Sequence, residues 1–465
     1  MAIKLASFAF SVLVVRRLGA SVYGQYAGVL AFGATFAIFS DLGLSPYTVR
    51  EAARLRDKPG GKEQIDRLYS NVLWLRLLLA VITAVMGTAA AWVSGRPLVV
   101  VGAVALSTLG LLLYGVEGTS EAVLAGYERI DLASGAKVLN QVVFVVIGAA
   151  ALFGGVGYYG LIVANIAGVL ALTVAVWQAV RRVGARAGRP NWHEWWPLIR
   201  AALPFGVIGF ALGLSYKYNT VLLSIFRGDQ ETGYFNSATN LVFSAVLLSN
   251  VLNTALYPSM SRQAVTHPAS LPRIYERALR YLLVISLPIA AGVWALSGQI
   301  VNFLFTQSYA PAAPALAIVI WVVPLMFATE FRGYVVIVAG QESRVARAVV
   351  VSTGLNVLVN SLLLPRLGYL AASVMTVVTE IVLVGQYLWL LRDLLRRLNW
   401  GTILWRPLLA ALAMGGVVWL SRGSLPLFGS VALGVGVYGG LLLLMGVVGK
   451  DEIRFVRALR SGQEA

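Results

Sequence analysis

Apolar runs of helix length follow one another along the whole chain, separated by short clusters of Gly, Pro and charged residues, and this leaves very few folds open. Fourteen runs can be delimited, at about 2–15, 26–44, 72–93, 98–116, 138–153, 158–180, 201–226, 234–257, 279–303, 312–338, 345–364, 369–391, 405–420 and 425–448. Most approach the roughly 20 residues that a helix needs to span a bilayer. They lack the ten-residue alternation of an outer-membrane barrel. Where no water reaches the backbone, helices that satisfy their own N–H and C=O groups are the remaining spanning solution. Composition agrees: 58% of the 465 residues are hydrophobic and 12% are charged, against about a quarter charged in soluble domains. The expected fold class is an all-α polytopic membrane protein of about 14 transmembrane helices.

An even number of crossings puts both termini on one side, and Lys and Arg in short loops mark the cytoplasmic side. With the N-terminus inside, the cytoplasmic segments hold 28 Lys and Arg and the opposite loops hold 6; Arg76, Lys217 and Arg332 fall inside spans. Both termini are therefore expected in the cytoplasm, with the chain in the cytoplasmic (inner) membrane. This topology accounts for the net charge of +17 without a nucleic-acid partner. The first run, Ala2 to Val15, is short, and Arg16-Arg17 follow it with no small-residue cleavage site, so it reads as a shortened first helix rather than a signal peptide.

The turn after the first run is repeated later. Gly19-Ala-Ser-Val-Tyr-Gly24-Gln-Tyr26 matches Gly228-Asp-Gln-Glu-Thr-Gly233-Tyr-Phe235, and each following run ends in Pro, three residues, Arg, at Pro46 to Arg50 and Pro258 to Arg262. Two halves of six helices in the same orientation would be related by a pseudo-two-fold along the membrane normal. The expected organisation is an N-lobe at 1–199, a C-lobe at 200–397, and two additional helices with a basic tail at 398–465.

These residues also carry a resemblance. Arg17-Leu18-Gly19, Tyr23-Gly24-Gln25-Tyr26, Asp41-Leu42-Gly43-Leu44 and Arg50-Glu51-Ala52 are similar to the opening of the polysaccharide biosynthesis (Wzx-like oligosaccharide flippase) family, and Pro204, Gly233-Tyr234 and Pro258-Ser259-Met260-Ser261 to its second half. The resemblance implies membership of the superfamily that includes multidrug and toxin extruders and lipid II flippases, and a lipid-linked oligosaccharide as substrate. The first helix is shorter than the family pattern, and Asn219 stands where that pattern favours Asp.

Ionisable groups inside a membrane are costly and mark function by default. Lys217 lies in the outer half of its span, with Tyr216 and Asn219 beside it; the alternative for Lys217 is snorkelling to the interface with Tyr216 and Tyr218. Lys217, Arg332, Tyr216 and Asn219 are the expected substrate-binding residues, the two cations holding a diphosphate headgroup. Glu380, ten residues from any other charge, and Glu330 are the expected H+ or Na+ coupling residues, against a helix-packing role for Glu380. Asp41, Glu117 and Glu121 fall near cytoplasmic helix ends and read as solvated, with Arg76 also near such an end.

With no cysteine and only His193 and His267, both in loops, a metal centre has almost no ligands. No catalytic triad or phosphate loop is present, and the longest loop, Ser45 to Asn71, is too short for an enzyme domain. The expected function is therefore a non-enzymatic, cofactor-free flippase of polyprenyl diphosphate-linked oligosaccharide working by alternating access, with membrane lipid and polysaccharide-assembly proteins as partners. The rivals are a cation-coupled multidrug or toxin exporter and a membrane-embedded glycosyltransferase or polymerase.

Overall fold

The structure is a computed structural model that describes residues 2–266, 271–329, 342–390 and 399–447, with Arg392. Its helices are α1 (Ala2–Asp41), α2 (Leu44–Leu55), α3 (Gly61–Val93), α4 (Leu98–Leu109), α5 (Leu111–Gly126), α6 (Ile130–Phe153), α7 (Gly157–Arg182), α8 (Trp195–Phe226), α9 (Gly228–Thr266), α10 (Leu271–Leu304), α11 (Ala312–Val319), α12 (Glu342–Leu390), α13 (Arg406–Ser421) and α14 (Leu427–Leu444). Among the described residues, ten segments are long and apolar enough to cross a membrane. Two of these are each broken at one glycine, α1 at Gly19 and α12 at Gly368. Counting both legs of each, and adding α8 and α9, the helices account for the crossings expected from the sequence.

Both breaks have a local cause. Gly19 has φ 72° and Gly368 has φ 66°, conformations that Gly adopts at no steric cost. Beyond Gly368 the two legs of α12 run back along each other, with Asn356 donating to Thr379 Oγ1 at 2.7 Å and Gln386 to Ser352 Oγ at 2.8 Å. The first leg of α1 extends to the residue before Gly19, past the end expected at Val15, so Arg16 and Arg17 lie within the helix.

The largest departure from the sequence reading lies between Ser45 and Asn71. Instead of a loop, this stretch forms α2 and about the first three turns of α3. In α2 the buried residues Leu44, Thr48 and Ala52 recur every fourth position, while Arg50, Glu51 and Arg54 face outward. A helix with one apolar stripe can lie against others without spanning. Its close partner is α5, where Gly126 leaves room for Ala52, whose Cβ lies 2.5 Å from where a Gly126 side chain would begin.

The chain divides into two compact units: one of 1–236 with 357–369, the other of 237–356 with 370–465. In the first unit, the second leg of α1 runs antiparallel to α8. Phe39 stacks near Phe210 with ring centroids 5.6 Å apart, Ile38 fills the space above Gly213, and Ser224 packs on Gly28. At one end of this pair Gly206 abuts the backbone of Leu42 and Gly43; at the other Gly24 abuts Asp229. In the second unit α13 packs on α10 through Gly415 and Ala291, and α14 reaches α10 through Tyr438, whose hydroxyl donates to the Val284 carbonyl at 2.9 Å.

Candidate functional site

The two matching turns of the sequence repeat meet each other in the structure. A side chain on Gly24 would collide with the carbonyl oxygen of Asp229, and one on Gly233 would collide with the carbonyl oxygen of Ala20. The repeat aligns Ala20 with Asp229 and Gly24 with Gly233, so each turn offers the other the same backbone contact. Such reciprocity is what a two-fold relation between two like elements produces. Both turns therefore lie at one end of the first unit. A further equivalent pair emerges: Gly157 (φ 70°) before Tyr158 and Gly368 before Tyr369 open corresponding helices.

Charged groups tie these turns together. Arg96, in the turn between α3 and α4, pairs with Asp229 and donates to the Ser224 carbonyl at 2.6 Å; both side chains of the pair are largely buried. Glu231 accepts from the Arg227 guanidinium at 2.7 Å and from the Tyr369 backbone N–H at 3.0 Å. Gly368 must be bare because the Glu231 carboxylate occupies the space a side chain would need.

Lys217 lies on α8 nine residues before Phe226, about 14 Å along the helix, and its side chain is exposed. No ion pair joins it to a described residue. Asn219 is buried at 4% exposure and accepts from Asn360 Nδ2 at 2.8 Å, while the Tyr218 hydroxyl bonds Ser361 Oγ at 2.7 Å. Residues two apart on a helix do not share a face. Lys217 and Asn219 thus serve different sides of α8, with Asn219 holding the first leg of α12. The side chain of Tyr216, and Glu330 and Arg332 entirely, lie outside the described residues.

Glu380, on the second leg of α12, accepts the Thr329 hydroxyl at 2.6 Å within the second unit. This satisfies one carboxylate lone pair and fixes the side chain toward the end of the segment Ala312–Thr329.

Sequence reasoning missed a polar network inside the first unit. Arg76 is 6% exposed; its guanidinium pairs with Asp41 at 3.1 Å and donates to Ser45 Oγ at 2.9 Å. Gly118 leaves the space for it, with Arg76 Nη1 2.7 Å from where a Gly118 Cβ would sit. Glu117, one residue earlier, is 8% exposed and lies in hydrogen-bond contact with Glu121, which pairs with Lys137 at 2.5 Å. The solvated reading therefore fails for Glu117, and Arg76, placed by the sequence only near a helix end, is enclosed with it. The physical reason is α2: folded over α5, it keeps water from a helix end that looks open when Ser45–Asn71 is taken as a loop. The available signal was the four-residue apolar spacing of Leu44, Thr48 and Ala52.

These features define a class, the polytopic helical membrane proteins with an internal repeat. The fold superposes on the lipid II flippase MurJ in an inward closed conformation with a TM-score of 0.80, at 12% identity over 94% of this chain and 96% of that one. It also superposes on an inward-facing multidrug resistance MATE family transporter with a TM-score of 0.60, at 14% identity over 85% and 95%. The family described as polysaccharide biosynthesis protein matches residues 1–263, more than half of the chain, and the chain belongs to that family. A probable low-salt glycan biosynthesis flippase of Haloferax volcanii is 20% identical over 343 residues, 72% of this chain and 71% of the relative.

Proposed function

We propose that the protein flips a lipid-linked oligosaccharide across the cytoplasmic membrane by alternating access, with both termini in the cytoplasm and no catalytic chemistry of its own. Membership of the polysaccharide biosynthesis family carries this reading, and the name of the Haloferax relative supports it. On the chain itself the supporting feature is Lys217. An exposed ammonium on a long apolar helix, with no ion pair to a described carboxylate, suits a mobile anionic partner such as a diphosphate. Arg332 would supply a second contact in bidentate form. Halves at 1–199 and 200–397 would rock to expose the headgroup to each side in turn, with the polyprenyl tail left in lipid and Glu380 and Glu330 coupling the movement to H+ or Na+.

The test is movement of fluorescent polyprenyl diphosphate-linked oligosaccharide across proteoliposomes containing the purified chain. Lys217→Ala removes a charge-assisted contact and is expected to lower headgroup affinity about ten- to a hundredfold while the detergent melting temperature stays unchanged. Wild-type protein that moves cationic drugs and not the lipid-linked sugar would replace this reading with the exporter. Normal flipping by Lys217→Ala would remove Lys217 from the site.

A further inference from the structure

We infer that the first unit carries a second anion site, distinct from the Lys217 region, which binds a phosphate-bearing headgroup at the cytoplasmic end of α7. A cavity of about 430 Å³ opens there, lined by Tyr69, Trp177, Val180, Arg181 and the stretch Ala185–Ala187, which includes Arg186. Its lining contains two guanidiniums and no carboxylate. Neither guanidinium forms an ion pair with a described residue. Arg181 Cζ lies over the Trp177 ring, 3.6 Å from its centroid, a cation–π contact that holds the guanidinium at the cavity. The Lys62 ammonium approaches the same turn, 3.5 Å from where a Gly184 side chain would begin.

The loop that supplies Arg186 is held rigidly. One face of α3 straps it down: Asp66 Oδ1 accepts from the Arg186 backbone N–H at 2.7 Å, Ser70 Oγ from Gly188 N–H at 2.6 Å, and Asn71 Oδ1 from Asn191 N–H at 2.6 Å. Asn71 also donates to Glu194 Oε2 at 2.5 Å. The carboxylates of Asp66 and Glu194 are thus engaged in holding the loop. Two exposed guanidiniums presented on a fixed backbone, with no carboxylate in the cavity lining, form a preorganised anion site.

Position favours a lipid headgroup over a soluble phosphate. The loop follows directly from a spanning helix, and Trp192 and Trp196, exposed at 65% and 71%, stand beside it as interfacial aromatics do. Basic pockets between helices on the cytoplasmic side are where anionic phospholipids bind.

The experiment uses the full chain in phosphatidylcholine nanodiscs titrated with phosphatidylglycerol, read by native mass spectrometry and by melting temperature. Wild type is expected to retain phosphatidylglycerol and to melt higher with it. Arg181→Gln with Arg186→Gln should weaken binding about tenfold or more, whereas Arg182→Gln with Arg189→Gln, which removes the same charge from the same loop outside the cavity, should stay within about twofold. Equal weakening by both pairs, or by neither, overturns the site. If the first pair melts lower in phosphatidylcholine alone, Arg181→Lys with Arg186→Lys replaces it. This pair keeps charge and loses the fork, so binding a few-fold below wild type supports the site and wild-type affinity overturns it. Inorganic phosphate that competes with the lipid and raises the melting temperature alone would assign the site to the free anion; phosphate without effect assigns it to the lipid.

Discussion

Gly24 and Gly233 pack reciprocally, each with its bare Cα against a carbonyl oxygen of the other's turn, at Asp229 and Ala20 respectively. Only hydrogen fits at either position. Gly24→Ala and Gly233→Ala should each force the turns apart at an overpacking cost of about 1–3 kcal/mol, seen as a lower melting temperature in detergent. Because both act on one interface, the double variant should lose less than the sum of the single losses. Additive losses would show that the turns do not share a contact.

The Arg96–Asp229 pair closes the same end of the unit with both side chains largely buried. Truncating one partner leaves a buried charge uncompensated, and Asp229→Ala or Arg96→Ala is expected to cost about 3–5 kcal/mol. Arg96→Gln combined with Asp229→Asn keeps the shape without either charge and should recover much of this. The Arg227–Glu231 pair is more exposed, and Arg227→Gln should leave the melting temperature nearly unchanged. Thermal denaturation of the four variants in one detergent would check the order.

How much of this could be read from the sequence varied with the kind of signal. Crossings were legible because their apolar runs are set by the bilayer, and the repeat because Gly19 and Gly228 both need positive φ. The partner of Asn219 was not, because Asn360 is 141 residues away and nothing local points to it. Glu117 was misread and the enclosure of Arg76 missed for a related reason: their environment depends on α2, whose short stripe is too polar to stand out beside spanning helices. Lys217 was found because an ammonium in an apolar run is conspicuous without any tertiary information.

That buried network gives a third prediction. Arg76→Met leaves Asp41 without its cation, and Asp41→Asn leaves a guanidinium at 6% exposure without its paired carboxylate. Each should destabilise the first unit by about 3–5 kcal/mol. Gly118→Ala would push a methyl into the guanidinium and should lower the melting temperature although no charge changes. If Gly118→Ala melts as wild type, the guanidinium is free to move and the network is looser than its geometry indicates.

The final prediction separates the two roles open to Glu380. Its carboxylate accepts the Thr329 hydroxyl at 2.6 Å, a bond that an amide oxygen can accept equally well. Glu380→Gln therefore keeps the helix contact and the volume and removes only the ability to gain or lose a proton or to hold a cation by charge. If Glu380 couples transport, Glu380→Gln should melt within a degree or two of wild type and still flip substrate down its own gradient, but respond to neither an imposed pH gradient nor a Na+ gradient. If Glu380 serves packing, Glu380→Gln should keep both its melting temperature and its gradient response, while Glu380→Ala, which leaves the buried Thr329 hydroxyl only its longer contact with the Met326 carbonyl at 3.2 Å, should lose about 1 kcal/mol. Flipping by Glu380→Gln in proteoliposomes, with and without each imposed gradient, decides between them, because only the coupling role links the missing charge to the driving force.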